Sequence, residues 1–254
     1  MHYATKGRDM YMERAGYLDF HTHILPGVDN EAMDMETTRR MLQLAYQQGV
    51  RTILATPHNY PGGRPQDNEQ IRALCSEVEK EAQNIHQDFR VLAGNEILYR
   101  ESILFELEKQ HILTLADSRY LLIEFLPGEY FSHIKEGLYQ LILEEYYPVV
   151  AHVEHIRCLM ERSEFIKELV EMGCYMQVDC RDIMGGPFNS RAKALHRLME
   201  KNRIHFLGSN CHDEINSPPI MEDCIRQLQK KIPEQTLKKV IFDNPDRFLQ
   251  KKYL

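Results

Sequence analysis

Six short apolar runs in this chain lead to a histidine or a glutamate, and that recurrence constrains the fold more than any other feature. Leu18-Asp19-Phe20 runs into His21, Ile53-Leu54-Ala55 towards His58, and Val91-Leu92-Ala93 towards Glu96. Leu121-Leu122-Ile123 runs into Glu124, Val149-Val150-Ala151 into His152, and Phe206-Leu207-Gly208 towards His212. Side chains that end separate strands share a pocket when the strands are parallel and open on one face, the geometry of a (β/α) barrel. Amphipathic stretches of helical length lie between the runs, as repeated β-α units require. The reading predicts strands over 17–21, 52–55, one ending at Gly94, then 120–125, 148–151, 175–178 and 205–207. That makes seven, one short of an ideal eight-fold barrel. Helices are predicted over 34–48, 68–86, 102–110, 134–145, 163–172, 192–201, 221–231 and 234–242.

A chain of 254 residues fits one such α/β barrel or two ordinary domains. No Gly- or Ser-rich linker divides it, so one domain over 17–254 is expected, preceded by an extension over 1–16. The net charge of −7 argues against a nucleic-acid binder, which carries a basic face. No signal-like apolar segment opens the chain, and the longest apolar stretches fall far short of the ~20 residues that span a bilayer. A cytoplasmic protein without a membrane span is the expectation. The six cysteines are scattered without Cys-x-x-Cys spacing and read as reduced core thiols. None has an arginine six positions later, which excludes the phosphate-binding loop of cysteine-dependent phosphatases.

His21 and His23 flank Thr22 at a strand end, where period-two alternation points both imidazoles to one side. Pro57 fixes an extended approach to His58. Glu96 and Glu124 sit between apolar neighbours, where an unpaired carboxylate is costly, so each needs a cation or a basic partner. The plainer alternative is a structural ion pair with Arg100 or Arg119. His152 has Glu154 and His155 close by as supporting groups, and His212 closes the run Gly208–His212. Five histidines and two glutamates make a mixed nitrogen and oxygen donor set, suited to Mn, Fe or Zn rather than to Mg or Ca alone.

Taken in order, these residues resemble the PHP (polymerase and histidinol phosphatase) superfamily, and within it the bacterial manganese-dependent tyrosine-protein phosphatases of capsule and exopolysaccharide operons. The resemblance is carried by Asp19-Phe20-His21-Thr22-His23-Ile24-Leu25-Pro26-Gly27-Val28-Asp29, by Ala55-Thr56-Pro57-His58, by Gly94-Asn95-Glu96-Ile97, and by Leu122-Ile123-Glu124-Phe125. It continues in Val150-Ala151-His152-Val153-Glu154, Met172-Gly173-Cys174-Tyr175 and Phe242-Asp243-Asn244-Pro245. It implies a distorted, TIM-like barrel of seven strands and up to three divalent ions, manganese foremost, with iron or zinc as alternatives. One ion would be held by His21, His23, Glu96 and Asn210, a second by Glu96, Glu124 and His152, a third by His58, His212 and Asn30. A metal-held hydroxide would attack the phosphorus of phosphotyrosine while the ions neutralise the phosphoryl oxygens. The implied partner and substrate is a tyrosine kinase of polysaccharide export; whether the protein works as a monomer or a homo-oligomer stays open.

Four positions depart from the family pattern. Asn30 and Asn210 stand where the family has Asp, and His155 and Ser217 where it usually has phosphate-contacting Arg. Asparagine can ligate through its carbonyl but brings no charge, so Asp29 or Asp213 would have to stand in. Two other functions follow from the departures and the wider superfamily. One is a degenerate protein that binds the kinase or its tail with little hydrolysis; the other is a phosphoesterase for a small phosphate of the histidinol-phosphate kind.

Overall fold

Nine parallel strand segments carry the architecture: β1 (Tyr17–Thr22), β2 (Val50–Ala55), β3 (His58–Asn59), β4 (Arg90–Ala93), β5 (Glu96–Leu98), β6 (Tyr120–Glu124), β7 (Tyr147–Val150), β8 (Tyr175–Asp179) and β9 (Phe206–Gly208). The computed structural model describes residues 16–29, 34–61, 68–186 and 188–254; Asn30 and residues 1–15 lie outside it. The segments form a sheet of order β1-β2-β4 and one of order β3-β5-β6-β7-β8-β9. Nine segments stand where seven strands are expected: β3 and β5, beyond the expected ends at Ala55 and Gly94, follow breaks in the runs. Thr56-Pro57 separates β2 from β3, and proline cannot donate to a strand ladder. Gly94-Asn95 separates β4 from β5, and the Asn95 side chain bonds to Pro57 O and to the Leu113 N–H instead. Register survives both breaks: Ala55 lies opposite Ala93, and His58 opposite Glu96. The remaining edges of the two sheets meet where the His23 N–H donates to Cys211 O and the Asn210 N–H to His21 O, both at 2.9 Å.

Helices follow the strands as expected, at Met35–Gln47, Asn68–Ile85, Ile103–Glu108, Phe131–Leu143, Ser163–Met172, Ser190–Glu200, Met221–Leu228 and Glu234–Lys238. The first starts where Asp34 accepts the Thr37 N–H at 2.8 Å, an N-cap that satisfies one orphan donor. Two short helices, Arg157–Glu161 and Cys180–Met184, add to the expected set. The C-terminal tail does not stop at Phe242. It passes through a wide π turn over Lys239–Asp243 into a helix at Asn244–Leu249, whose first turn accepts Pro245 because no N–H is needed there.

Strand alternation divides the core in two. Leu121 and Ile123 of β6 pack with the helices, in a cluster that holds Leu42, Val78, Leu138 and Leu195. Tyr120 and Leu122 face a second cluster with Leu18, Phe20, Val149, Tyr175, Phe206 and Phe248. Burial on both faces is why these strands read as near-continuous apolar runs. Along the second face the chemistry changes with position: Tyr120 and Leu122 lead to Glu124, and Tyr175 leads to Gln177 and Asp179. The polar residues gather at the C-terminal strand ends, and that end holds the site. All six cysteines are free thiols.

Candidate metal centre

Glu96 opens β5, is fully buried, and has four imidazoles converging on it. Its Oε2 lies 2.8 Å from His58 Nδ1, 3.2 Å from His21 Nε2 and 3.3 Å from His23 Nε2; Oε1 lies 2.7 Å from His152 Nε2. The Nε2 atoms of His21 and His23 are themselves only 3.2 Å apart. Two donors on one cation, with bonds of about 2.1 Å, stand about 3.0–3.4 Å apart, and this pair meets that spacing. Glu124 Oε1 is 3.8 Å from His152 Nε2. The His212 and His58 rings lie against His23, with centroids at 4.1 and 4.3 Å. All five histidines and both glutamates singled out in the sequence are therefore brought together.

The imidazoles are aimed from behind. His23 Nδ1 is 3.1 Å from Asp29 Oδ2, while Asp29 Oδ1 accepts the His58 N–H at 3.0 Å. Gln177 Oε1 accepts the His152 N–H at 2.6 Å and lies 3.4 Å from His21 Nδ1. Partners of this kind fix ring orientation and raise ligand basicity. Two site residues sit in the left-handed backbone region that disfavours side chains, His152 at φ 29° and Asn210 at φ 49°. The Gln177 bond to His152 and the Asn210 bond to His21 O hold them there. Gly208 lets β9 press against His21, since a Cβ there would stand 2.6 Å from His21 Cβ.

The charges are tightly balanced. Burial alone would raise the Glu96 carboxyl, yet His21, with hydrogen bonds from His152, His21 and His23, holds it well below the usual glutamate range. Burial opposes a charge on His23, but Asp29 and Glu96 lift it to about 10; Glu96 likewise lifts His152 to about 9 against its burial. His212 is pushed down to about 3 by burial and by the neighbouring histidines. Burial and the Glu96 charge raise Glu124. Buried carboxylates balanced by protons on neighbouring imidazoles can exchange those protons for a metal cation. Glu124 Oε2 and Asn210 Oδ1 are buried and accept no hydrogen bond from the described residues, and acceptors of that kind suit a hard or borderline divalent ion. The donor set fits a metal.

The ion-pair alternative fails on geometry. Arg100 is taken by Glu106 and Asn59, and Arg119 by Glu145. Asp29 lies in the centre, but Asp213 does not stand in for a ligand: it accepts the Ile215 and Asn216 N–H groups of its own exposed turn. His155 Nε2 pairs with Asp182 Oδ2 at 3.1 Å, and the Ser217 hydroxyl donates to Asn210 O at 3.1 Å. Three residues of the site escaped the sequence reading. Tyr60 stacks on His58 with centroids 4.6 Å apart; Gln177 and Asp179 end β8. The last two lie on the inward alternation of their strand, as Glu124 does on its own, Gln177 inside the expected span and Asp179 one residue beyond its expected end at Val178.

A family model described as capsular polysaccharide synthesis, CpsB/CapC, matches residues 17–250. The chain is 31% identical to the tyrosine-protein phosphatase CpsB of Streptococcus pneumoniae, over 91% of its own length and 98% of that protein. Identity to the tyrosine-protein phosphatase YwqE of Bacillus subtilis is 35% over 77% of each chain. A solved structure from work on YwqE of B. subtilis and CpsB of S. pneumoniae, described as unique metal-dependent tyrosine phosphatases, matches at a TM-score of 0.83 and 29% identity, covering 92% of this chain and 95% of that one. The phosphotriesterase homology protein of Escherichia coli shares the fold alone, at a TM-score of 0.59 and 14% identity over 92% of this chain and 98% of that one.

Proposed function

Since the chain belongs to the capsular polysaccharide synthesis CpsB/CapC family, we propose that it is a metal-dependent tyrosine-protein phosphatase acting on phosphotyrosine of a polysaccharide-export kinase. The observation that carries this reading is the convergence of four imidazoles on the one buried carboxylate of Glu96. The family relationship supplies the substrate class. In the same reading, residues 17–254 form one domain, and the nine segments trace seven strand tracks of a distorted barrel. The protein acts in the cytoplasm, and among the described residues no helix is long and apolar enough to cross a membrane.

His21, His23, Glu96 and Asn210 would hold one ion, Glu96, Glu124 and His152 a second, and His58, His212 and residue 30 a third, with manganese the foremost candidate. Bound cations supply charge to the phosphoryl oxygens and acidify water for attack on phosphorus. The chain's own residues do the rest. Glu96 ties the imidazoles together, Asp29 and Gln177 keep them aimed, and the buried setting strengthens each interaction. The Tyr60 ring, stacked on His58 and 43% exposed, offers a phosphotyrosine ring an aromatic edge at the mouth.

One observation favours a second reading, a protein that binds its phosphorylated partner with little turnover. Neither 155 nor 217 offers the fixed two-pronged guanidinium that captures phosphate, so capture falls to the cations. One experiment decides between them: metal content by mass spectrometry and turnover of a phosphotyrosine peptide with Mn²⁺, on the same preparation. Metal with turnover supports the enzyme; metal without turnover supports the binder; a preparation that takes up no metal overturns both.

A further inference from the structure

We propose that Asp179 supplies the metal centre, through Asn210, with a negative charge that the Asn210 amide does not itself carry. The inference rests on the site being a metal centre. Asp179 ends β8 and is 5% exposed. Its Oδ2 accepts from Asn210 Nδ2 at 2.9 Å, its Oδ1 accepts from Gln177 Nε2 at 3.0 Å, and its N–H donates to Glu154 Oε1 at 2.7 Å. Among the described residues no lysine or arginine pairs with it. The groups gathered near it are Glu154, His155 and Asp182, and His155 already pairs with Asp182.

This contact fixes how Asn210 is turned. A carboxylate accepts hydrogen bonds only, so the amide NH₂ must face Asp179 and the amide oxygen must face away. That oxygen is the buried Oδ1 that accepts no hydrogen bond from the described residues. Donation to a carboxylate draws the amide towards its charge-separated form and enriches Oδ1, which makes it a better donor to a hard cation than an ordinary amide. A second carboxylate at 210 would stand 2.9 Å from Asp179, where two like charges cannot both persist without a shared proton or cation. One of the two positions carries the charge, and the other serves it as an amide. Through Gln177 the same carboxylate is tied to His21 and to the His152 backbone, so Asp179 is a positioning residue for ligands on three strand ends.

An exchange of the two residues tests this. In D179N the new amide cannot accept from both Asn210 and Gln177 through one oxygen, and the simplest repair turns Asn210 over, aiming its NH₂ at the cations. In D179N/N210D the bond between 179 and 210 is restored with donor and acceptor reversed, while the amide oxygen at 179 still accepts from Gln177 Nε2. Mn²⁺ titration calorimetry on chelator-stripped unmodified protein, D179N and D179N/N210D, each melted without metal to verify folding, reads the effect. D179N is expected to weaken the tightest Mn²⁺ site about 10- to 100-fold, and the exchanged protein to recover to within about 3-fold of the original. The proposal is overturned if D179N binds Mn²⁺ like the unmodified protein, or if folded D179N/N210D binds no better than D179N. Should D179N fail to fold, the exchanged protein decides alone: near-original affinity supports the proposal, and a loss of 10-fold or more overturns it. Absence of Mn²⁺ binding by the unmodified protein would overturn the metal reading itself, and this inference with it.

Discussion

His205 and His23 are both buried imidazoles one residue outside a strand, and they are pushed in opposite directions. His205 stands just before β9, at the end of the barrel where Tyr175, Phe206 and Phe248 pack; burial, with Lys239 adding to it, takes its ring down to about 4. His23 stands just after β1, and despite comparable burial Asp29 and Glu96 lift it to about 10. The two ends of one barrel therefore solve burial differently. At the apolar end, stacked rings and a neutral histidine are complete in themselves: His205 Nδ1 accepts the Met176 N–H at 3.0 Å. At the polar end, buried carboxylates and imidazoles are balanced only with protons or cations. The first end is complete without an ion and the second is not, so substitutions at the two ends are expected to have different effects.

The largest separation comes from Glu96→Gln. It keeps the shape of the side chain but removes the charge on which His21, His23, His58 and His152 converge. Turnover should fall by about 1,000-fold or more, with loss of more than one equivalent of metal by mass spectrometry. A variant with full metal content would remove Glu96 from its bridging role. The opposite cut is Phe248→Ala. Phe248 is buried with its ring 5.0 Å from Phe20 and 5.1 Å from Tyr120, and emptying that place should cost about 3–5 kcal/mol in denaturant unfolding while metal stoichiometry is unchanged. Lost metal at full stability would show that the two ends are not separable.

Protons and metal compete for the polar end. Without metal, His23 and His152 hold protons up to about 10 and about 9, and both must give them up to ligate. Metal uptake should release about two protons, and apparent affinity should fall by about 100-fold for each pH unit below about 9. Calorimetric titrations in buffers of different ionisation enthalpy count the protons. A pH-independent affinity would mean that neither ring is a ligand.

How much of this was legible in the sequence differs between the same two ends. Strands buried on both faces are apolar runs, so β1, β6, β7 and β8 were found within a residue or two of their true ends. The polar end was legible wherever a His or Glu interrupted such a run. Two-residue pieces such as β3 have no pattern of their own; His58 and Asn59 are strand only because Glu96 and Ile97 lie opposite. Gln177 lies inside the expected strand with nothing in its local sequence to mark it, and Asp179 falls one residue beyond that strand's expected end. The bond from Asp179 to Asn210, 31 residues along the chain, leaves no local trace. The departure at 210 was visible as a loss, while what surrounds it is a matter of tertiary contact.

The smallest expected effect isolates the apolar end by acid. The free imidazole of an unfolded chain takes up its proton near pH 6.5, whereas His205 in the folded protein stays neutral down to about 4. Below pH 6.5 the unfolded state therefore binds more protons than the folded one, and stability falls as pH falls through the window from about 6.5 to about 4. The sign is opposite to that for His23, whose raised value stabilises the metal-free fold at low pH and loses that contribution as pH rises towards 10. By pH 5 the His205 contribution amounts to about 2 kcal/mol. His205→Asn keeps an acceptor for the Met176 N–H and removes the titration. Urea unfolding of both proteins with chelator present, at pH 7 and pH 5, reads the difference. The variant should lose about 2 kcal/mol less than the unmodified protein on going to pH 5. Equal losses would place the acid sensitivity at the polar end, with His212, and would remove the contrast between the two imidazoles.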